Sequence, residues 1–150
     1  MRWIYEKKTI TQNMIKKVED FFNIKFPNDF LNVIKIYNGG YPCPSENKID
    51  EYTDIIIGIT INEKFEVINN LVSFCEEDEN YIIDIYKDTE TLYNENVIPI
   101  AEDPFGNLFC YEIKDNDAFT IIFWDNELNE KTYICNTFSE FINLWYEYKV

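Results

Sequence analysis

The side chains able to do chemistry in this chain of 150 residues are mostly carboxylates: it has 28 Asp and Glu, four cysteines and no histidine. Without histidine there is no Ser-His-Asp or Cys-His nucleophilic site, no imidazole proton shuttle and no histidine-ligated zinc. A pair of carboxylates can hydrolyse a glycoside or hold a cation, but among so many acids accidental pairs are unavoidable. Asp115-Asn116-Asp117 has the opening of a calcium loop but lacks the glycine and later glutamate that complete one, so it reads as an exposed turn. Cys43, Cys75, Cys110 and Cys135 are far apart and form no C-x-x-C pair, which points to reduced structural thiols rather than a disulfide framework or a metal site. Asn38-Gly39-Gly40 follows a helical pattern instead of a strand, and reads as a helix stop rather than a phosphate loop. The expectation is a protein that is not an enzyme and uses neither metal nor cofactor.

What acids can do instead is meet a partner. The formal charge is −15, and it is uneven: residues 1–40 carry seven bases and four acids (+3), residues 41–150 six bases and 24 acids (−18). Such a surface repels phosphate backbones, which argues against nucleic acid, and it speeds encounter with a basic protein. The acids concentrate in the block Glu76, Glu77, Asp78 and Glu79, at the loop residues Glu102 and Asp103, and at Asp125 and Glu127 in a later turn. These eight side chains are the candidate partner contacts. Each group also has a local role open to it. The block would favour the dipole of a helix that follows it, while Asp103 and Asp125 would bond backbone amides in their own turns.

The central element positioning these acids is the stretch 98–113, IPIAEDPFGNLFCYEI, two strand-like runs joined by a loop with Pro104 and Gly106. Gly106 and Asn107 would set the turn, and Ile98, Ile100, Leu108 and Phe109 would face the core. Upstream, helical spacing predicts a helix over 11–22, capped by Thr11, with Ile10 and Ile15 as a staple and Met14, Ile15, Val18, Phe21 and Phe22 as its apolar face. Lys16, Lys17, Glu19 and Asp20 fall on the other side. A second helix starts at Pro27, buries Phe30, Leu31, Ile34 and Tyr37, and stops at the two glycines. Residues 41–50 read as loop, 54–61 as a buried strand with a bulge at Gly58, and 65–74 as a strand weakened by Asn69 and Asn70. A helix follows over 81–89. Beyond the hairpin come strands over 119–124 and 131–135, the latter an edge. A capping box, Thr137-Phe138-Ser139-Glu140, then opens a last helix running toward Tyr148.

Together these make a single α+β domain over 1–150, a mostly antiparallel sheet of about five or six strands flanked by about four helices. An apolar share of 46%, with 17% aromatic residues, fills a core of that size. No apolar run is long enough to span a bilayer, and the start, MRWIYEKKTITQ, lacks an apolar secretory segment, so the expected location is the cytoplasm with no membrane contact.

Four stretches, in order, resemble motifs of the SUKH superfamily, the Smi/Knr-like domains. Phe26-Pro27-Asn28-Asp29-Phe30-Leu31 followed by Tyr37-Asn38-Gly39-Gly40 is similar to its opening helix and NGG. Ile98-Pro99-Ile100-Ala101-Glu102-Asp103-Pro104-Phe105-Gly106-Asn107 resembles its central IPIA-x-D-x-x-GN, Phe123-Trp124-Asp125-Asn126-Glu127 its F-W-D-H-E turn, and Phe138-Ser139-Glu140-Phe141 its closing helix. Asn126 stands where the family often has histidine. The resemblance implies an α+β domain without known catalysis. Many bacterial members are immunity proteins that bind and block a polymorphic or contact-dependent toxin, often a basic nuclease. Fungal members act instead as regulatory modules in cell-wall synthesis and signalling.

Overall fold

The computed structural model describes residues 1–44 and 55–150; the predicted loop beyond Pro44 and the first residue of the predicted 54–61 strand lie outside them. In chain order the elements are β1 (Arg2–Ile4), α1 (Gln12–Phe22), α2 (Asn28–Tyr37), β2 (Tyr41–Cys43), β3 (Ile55–Ile61), β4 (Lys64–Val67), β5 (Asn70–Leu71) and α3 (Ile82–Asp88). Then follow β6 (Val97–Glu102), β7 (Leu108–Ile113), β8 (Phe119–Asp125), β9 (Glu130–Cys135), α4 (Phe138–Asn143) and β10 (Tyr146–Lys149). The expected α+β fold is present: four helices accompany a five-stranded antiparallel sheet, β5-β6-β7-β8-β9, with β9 at an edge as its sequence suggests. A three-stranded sheet, β10-β3-β4, and a pair, β1-β2, stand beside it. Among the described residues no helix is long and apolar enough to cross a membrane.

The central sheet is covered on both faces. One face carries Ile98, Ile100, Phe109, Tyr111 and Ile121, which join α1, α2 and α4 through Ile15, Phe30, Ile34, Phe138 and Phe141 in the main core. The other carries Val97, Leu108, Cys110, Ile122 and Trp124, packed with Leu92 and, from α3, Ile85 and Tyr86. Alternation along β7 therefore sends Leu108 and Phe109 into different cores. Pro99 is tolerated within β6 because the register shifts beside it and β5 pairs only with Ala101 and Glu102 further along.

Asparagines tie these layers together. Asn38, 1% exposed at the end of α2, donates to Lys8 O (2.9 Å) and Ser73 Oγ (3.0 Å) and accepts from Phe74 N (2.8 Å). Gly39 follows with φ +66°, and its amide bonds Val72 O at 3.1 Å, so the helix stop also docks α2 on the segment after β5. Asp29 joins two helix starts, accepting from Phe30 N (2.9 Å) in α2 and Ser139 N (2.9 Å) in α4.

Several local expectations change. Residues 41–43 are not loop but β2, paired with the unforeseen β1. The 65–74 run splits, β4 joining β3 and β5 joining β6, and the change of sheet occurs at Asn69 and Asn70. The last helix stops at Asn143, and Tyr146–Lys149 pairs with β3, opposite Gly58, Ile57, Ile56 and Ile55. There the period-two pattern Tyr-Glu-Tyr-Lys suits an edge strand, and β3 supplies backbone partners that an isolated sequence cannot reveal. Gly58 has no bulge: it lies flat beneath Phe65, whose ring sits 2.1 Å from where a Cβ would be. On α1, Phe21 is exposed and packs edge-on to Phe22 and Tyr86, whereas Glu19, expected on the solvent side, is buried. Its carboxylate accepts from Phe26 N at 2.7 Å, closing the turn that leads into α2.

Asn38→Ala would leave the Phe74 amide and Lys8 O without their partner, so urea unfolding should show a loss of about 2–4 kcal/mol. Asn136→Ala, in the exposed turn before α4, should change stability by no more than about 0.5 kcal/mol.

Candidate partner-binding surface

The hairpin tip is built around one buried carboxylate. Asp103, 4% exposed, accepts through Oδ1 from Phe105 N (2.8 Å) and Asn107 N (2.7 Å), and through Oδ2 from Asn107 Nδ2 (2.8 Å). Its own amide donates to Asn107 O at 3.1 Å, and Gly106 takes φ +91°, a conformation that suits glycine. Asn107 passes the order on, its Oδ1 accepting from Asn126 N at 3.0 Å in the β8–β9 turn. In that turn Asp125 Oδ1 accepts from Glu127 N and Leu128 N, both at 3.0 Å. The turn roles expected of Asp103 and Asp125 are thus real: both oxygens of Asp103 and one of Asp125 are engaged inside the protein.

Apart from Asp78, the acids of the predicted set separate into three depressions and one isolated position. Glu79, Glu102 and Asp103 line one depression of about 300 Å³, together with Tyr41, Asn69, Asn70 and Asn80. Asp125 lines a neighbouring one with Glu66 and Glu130. Glu66, absent from the predicted set, is the electrostatic link between them. Burial first, then the charges of Asp103 and Asp125, push its carboxyl above the ordinary value, with Lys64 opposing. Glu102 is pushed up as well, chiefly by burial, against the opposing hydrogen bond from Asn70. Glu76 and Glu77 line a separate hollow with Lys17, Cys75 and Tyr81. Glu127 is exposed in its turn and stands apart.

The block 76–79 does not cap a helix. α3 begins at Ile82 with no side-chain cap, and the acid of its first turn is Asp84. Glu76 instead pairs with Lys17, Asp78 accepts from Ser73 Oγ at 2.6 Å, and Cys75 Sγ lies 3.3 Å from Glu77. Among the described residues Glu79 has neither ion pair nor hydrogen bond. The residues missed from sequence, Glu66, Asn70 and Asn80, carry little one-dimensional signal; only Asn70, a polar residue interrupting a strand pattern, marks a special position.

The four cysteines are free, burial pushing the thiol of Cys110 far up and that of Cys135 up to about 11. Among the described residues no group of three or more cysteine and acid side chains is placed to hold a metal ion. The fold is that of a single α+β domain built on a five-stranded antiparallel sheet. The chain belongs to the SMI1 / KNR4 family (SUKH-1), which matches residues 9–144. That family is generally non-catalytic and includes immunity proteins. Among curated proteins none matches the chain.

Asp103→Ala deprives three donors of their acceptor, and unfolding should register a loss of about 2–4 kcal/mol, against less than about 0.5 kcal/mol for Glu127→Ala. A second test concerns Glu112, buried on β7 and flanked by Lys114 and by Lys131 at 2.6 Å. Burial alone would raise its carboxyl, but the hydrogen bonds and charges of the two lysines outweigh burial and hold it below the ordinary 4.5. A carboxyl lowered in the fold contributes stability above its unfolded value and loses it as pH falls. Stability should therefore decline on acidification below about pH 4.5, and Glu112→Gln should flatten that slope.

Proposed function

We propose that this chain is an immunity protein that binds a cognate bacterial toxin, polymorphic or contact-dependent, and neutralises it by stoichiometric occlusion in the cytoplasm of the producing cell. The observation that carries this reading is the concentration of acids over residues 41–150, 24 against six bases, within a family that includes immunity proteins. A toxin that cleaves nucleic acid must offer positive potential to a phosphate backbone. An acidic domain with rigidly held turns competes for that same surface, and charge complementarity raises the encounter rate. Glu76, Glu77, Glu79, Glu102 and Glu127 supply the accessible charge, while Asp78, Asp103 and Asp125 hold the loops that carry it. No cofactor is required for such a mechanism.

The test is co-expression with the C-terminal domain of a toxin encoded beside this gene. Rescue of growth and recovery of a one-to-one complex are expected. Failure of both would sink the reading for that pair and leave the non-catalytic regulatory role of the Smi/Knr relatives as the alternative. Within the complex, reversing Glu76, Glu77 and Glu79 to lysine, sparing Asp78, should slow association about tenfold at low salt. The difference should shrink near 1 M salt, where screening acts within about 3 Å.

A further inference from the structure

The five-stranded sheet ends at β9, and the way that strand turns its backbone groups follows from the register of the whole sheet. Asp103 N donates to Asn107 O at 3.1 Å, which makes these two a hydrogen-bonded pair. Such pairs alternate along an antiparallel ladder, so the next is Ala101 with Phe109. Phe109 thus spends its backbone groups on β6, while Leu108 and Cys110 turn theirs to Trp124 and Ile122 of β8. Phe123 and Asp125 in turn face Thr132 and Glu130 of β9. Lys131 and Tyr133, opposite Trp124 and Ile122, are left with N–H and C=O pointing out of the sheet. Among the described residues neither makes a backbone bond outside the sheet. Proteins usually guard such an edge with lysine, proline or a very short strand. β9 has six residues and no proline, whereas β5 at the opposite edge has two. Its one lysine is held elsewhere, Lys131 Nζ lying 3.1 Å from Glu95 and 2.6 Å from Glu112. Beside the open edge, Tyr133, Ile134 and Cys135 of β9 face Glu140, Asn143 and Leu144 of the α4 segment across a depression of about 390 Å³. Tyr133 and Leu144 are 56% and 46% exposed there.

We propose that β9 takes an extended segment of a basic protein partner as a further strand, with one apolar side chain of that segment seated in the depression between β9 and α4. The proposal rests on the partner-binding reading above and names the form in which part of that partner is recognised. Outward N–H and C=O groups at Lys131 and Tyr133 are met together by extended backbone, which gives strand addition its affinity. Side chains alternate along such a segment, so one can enter the depression while its neighbours stay in water. Charge selects the source of the segment. A second copy of this chain carries the same −15 and is repelled. A basic segment is drawn instead to the exposed Glu130 at the start of β9 and to Glu140 in the wall of the depression.

The full chain, isotopically labelled, is titrated with a blocked peptide of alternating arginine and valine. The control is the same peptide N-methylated throughout, which keeps side chains and charge but has no N–H and cannot lie along a strand edge. The Lys131 and Tyr133 amides should exchange with solvent about tenfold more slowly with the first peptide and be unprotected by the second. Equal protection by both, no protection of β9, or protection confined to β4 or β10 overturns the proposal. In a toxin complex, Tyr133→Pro, which deletes an outward N–H, should raise Kd about tenfold over Tyr133→Ala, which keeps it. Proline is tolerated where an edge N–H faces outward, and thermal unfolding checks that both variants fold. An equal Kd for two folded variants overturns the strand addition and leaves the immunity reading standing. If the parent forms no complex, the immunity reading falls; in that case, or if Tyr133→Pro does not fold, the two peptides decide the role of β9.

Discussion

A carboxylate placed where the backbone turns sharply has to be given donors or left to water, and at Asp103 the fold gives it three. The consequences extend well past the loop. By bonding Phe105 N, Asn107 N and the Asn107 side chain, it closes the connection between the two central strands. A hairpin loop sets strand register, and register decides which side chains face which core. A slip of one residue here would exchange Phe109 and Tyr111 with Leu108 and Cys110, and both cores would be lost. Asn107 then couples this turn to the next at Asn126, so one end of the sheet is held as a unit.

The same device recurs with neutral side chains. Asn38 and Asn70 are almost wholly buried, and each bonds groups from separate segments. A buried amide that is fully satisfied specifies geometry as no apolar contact can, because hydrogen bonds demand both distance and direction. Asn38 tells α2 where to end, and Asn70 marks where one segment leaves the three-stranded sheet for the five-stranded one. The aromatic core around Phe26, Phe30, Phe74, Tyr111 and Phe138 supplies the apolar burial. The polar ties make its arrangement unique.

Acidity in this protein is of two kinds that composition cannot separate. Asp29, Asp78, Asp103 and Asp125 are short acids that bond amides or hydroxyls close to the backbone. Glu19 and Glu112 are the buried exceptions among the longer ones, each with a lysine beside it. Among the eight acids of the candidate surface, those that do not bond a turn are glutamates, whose extra methylene carries charge clear of the backbone.

From the sequence alone the helix starts, the NGG stop, the central hairpin and the edge strand β9 could be read, because each depends on contacts within a few residues: caps, turn chemistry and periodicity. The turn roles of Asp103 and Asp125 were legible for the same reason. The family motifs were legible too, and Asp103, Asn107 and Asn38 show what three of those motif positions do physically. Tertiary structure decided whatever depends on a distant partner. Residues 146–149 continue a helical pattern acceptably but pair with β3, which offers an unfilled edge; Glu19 is drawn inward by the Phe26 amide; and Asn69 and Asn70 divide one apparent strand between two sheets. The gathering of Glu66, Glu79, Glu102 and Asp103 at one end of the sheet belongs to this second kind, since it joins residues that only the completed pairing of β5 with β6 brings together.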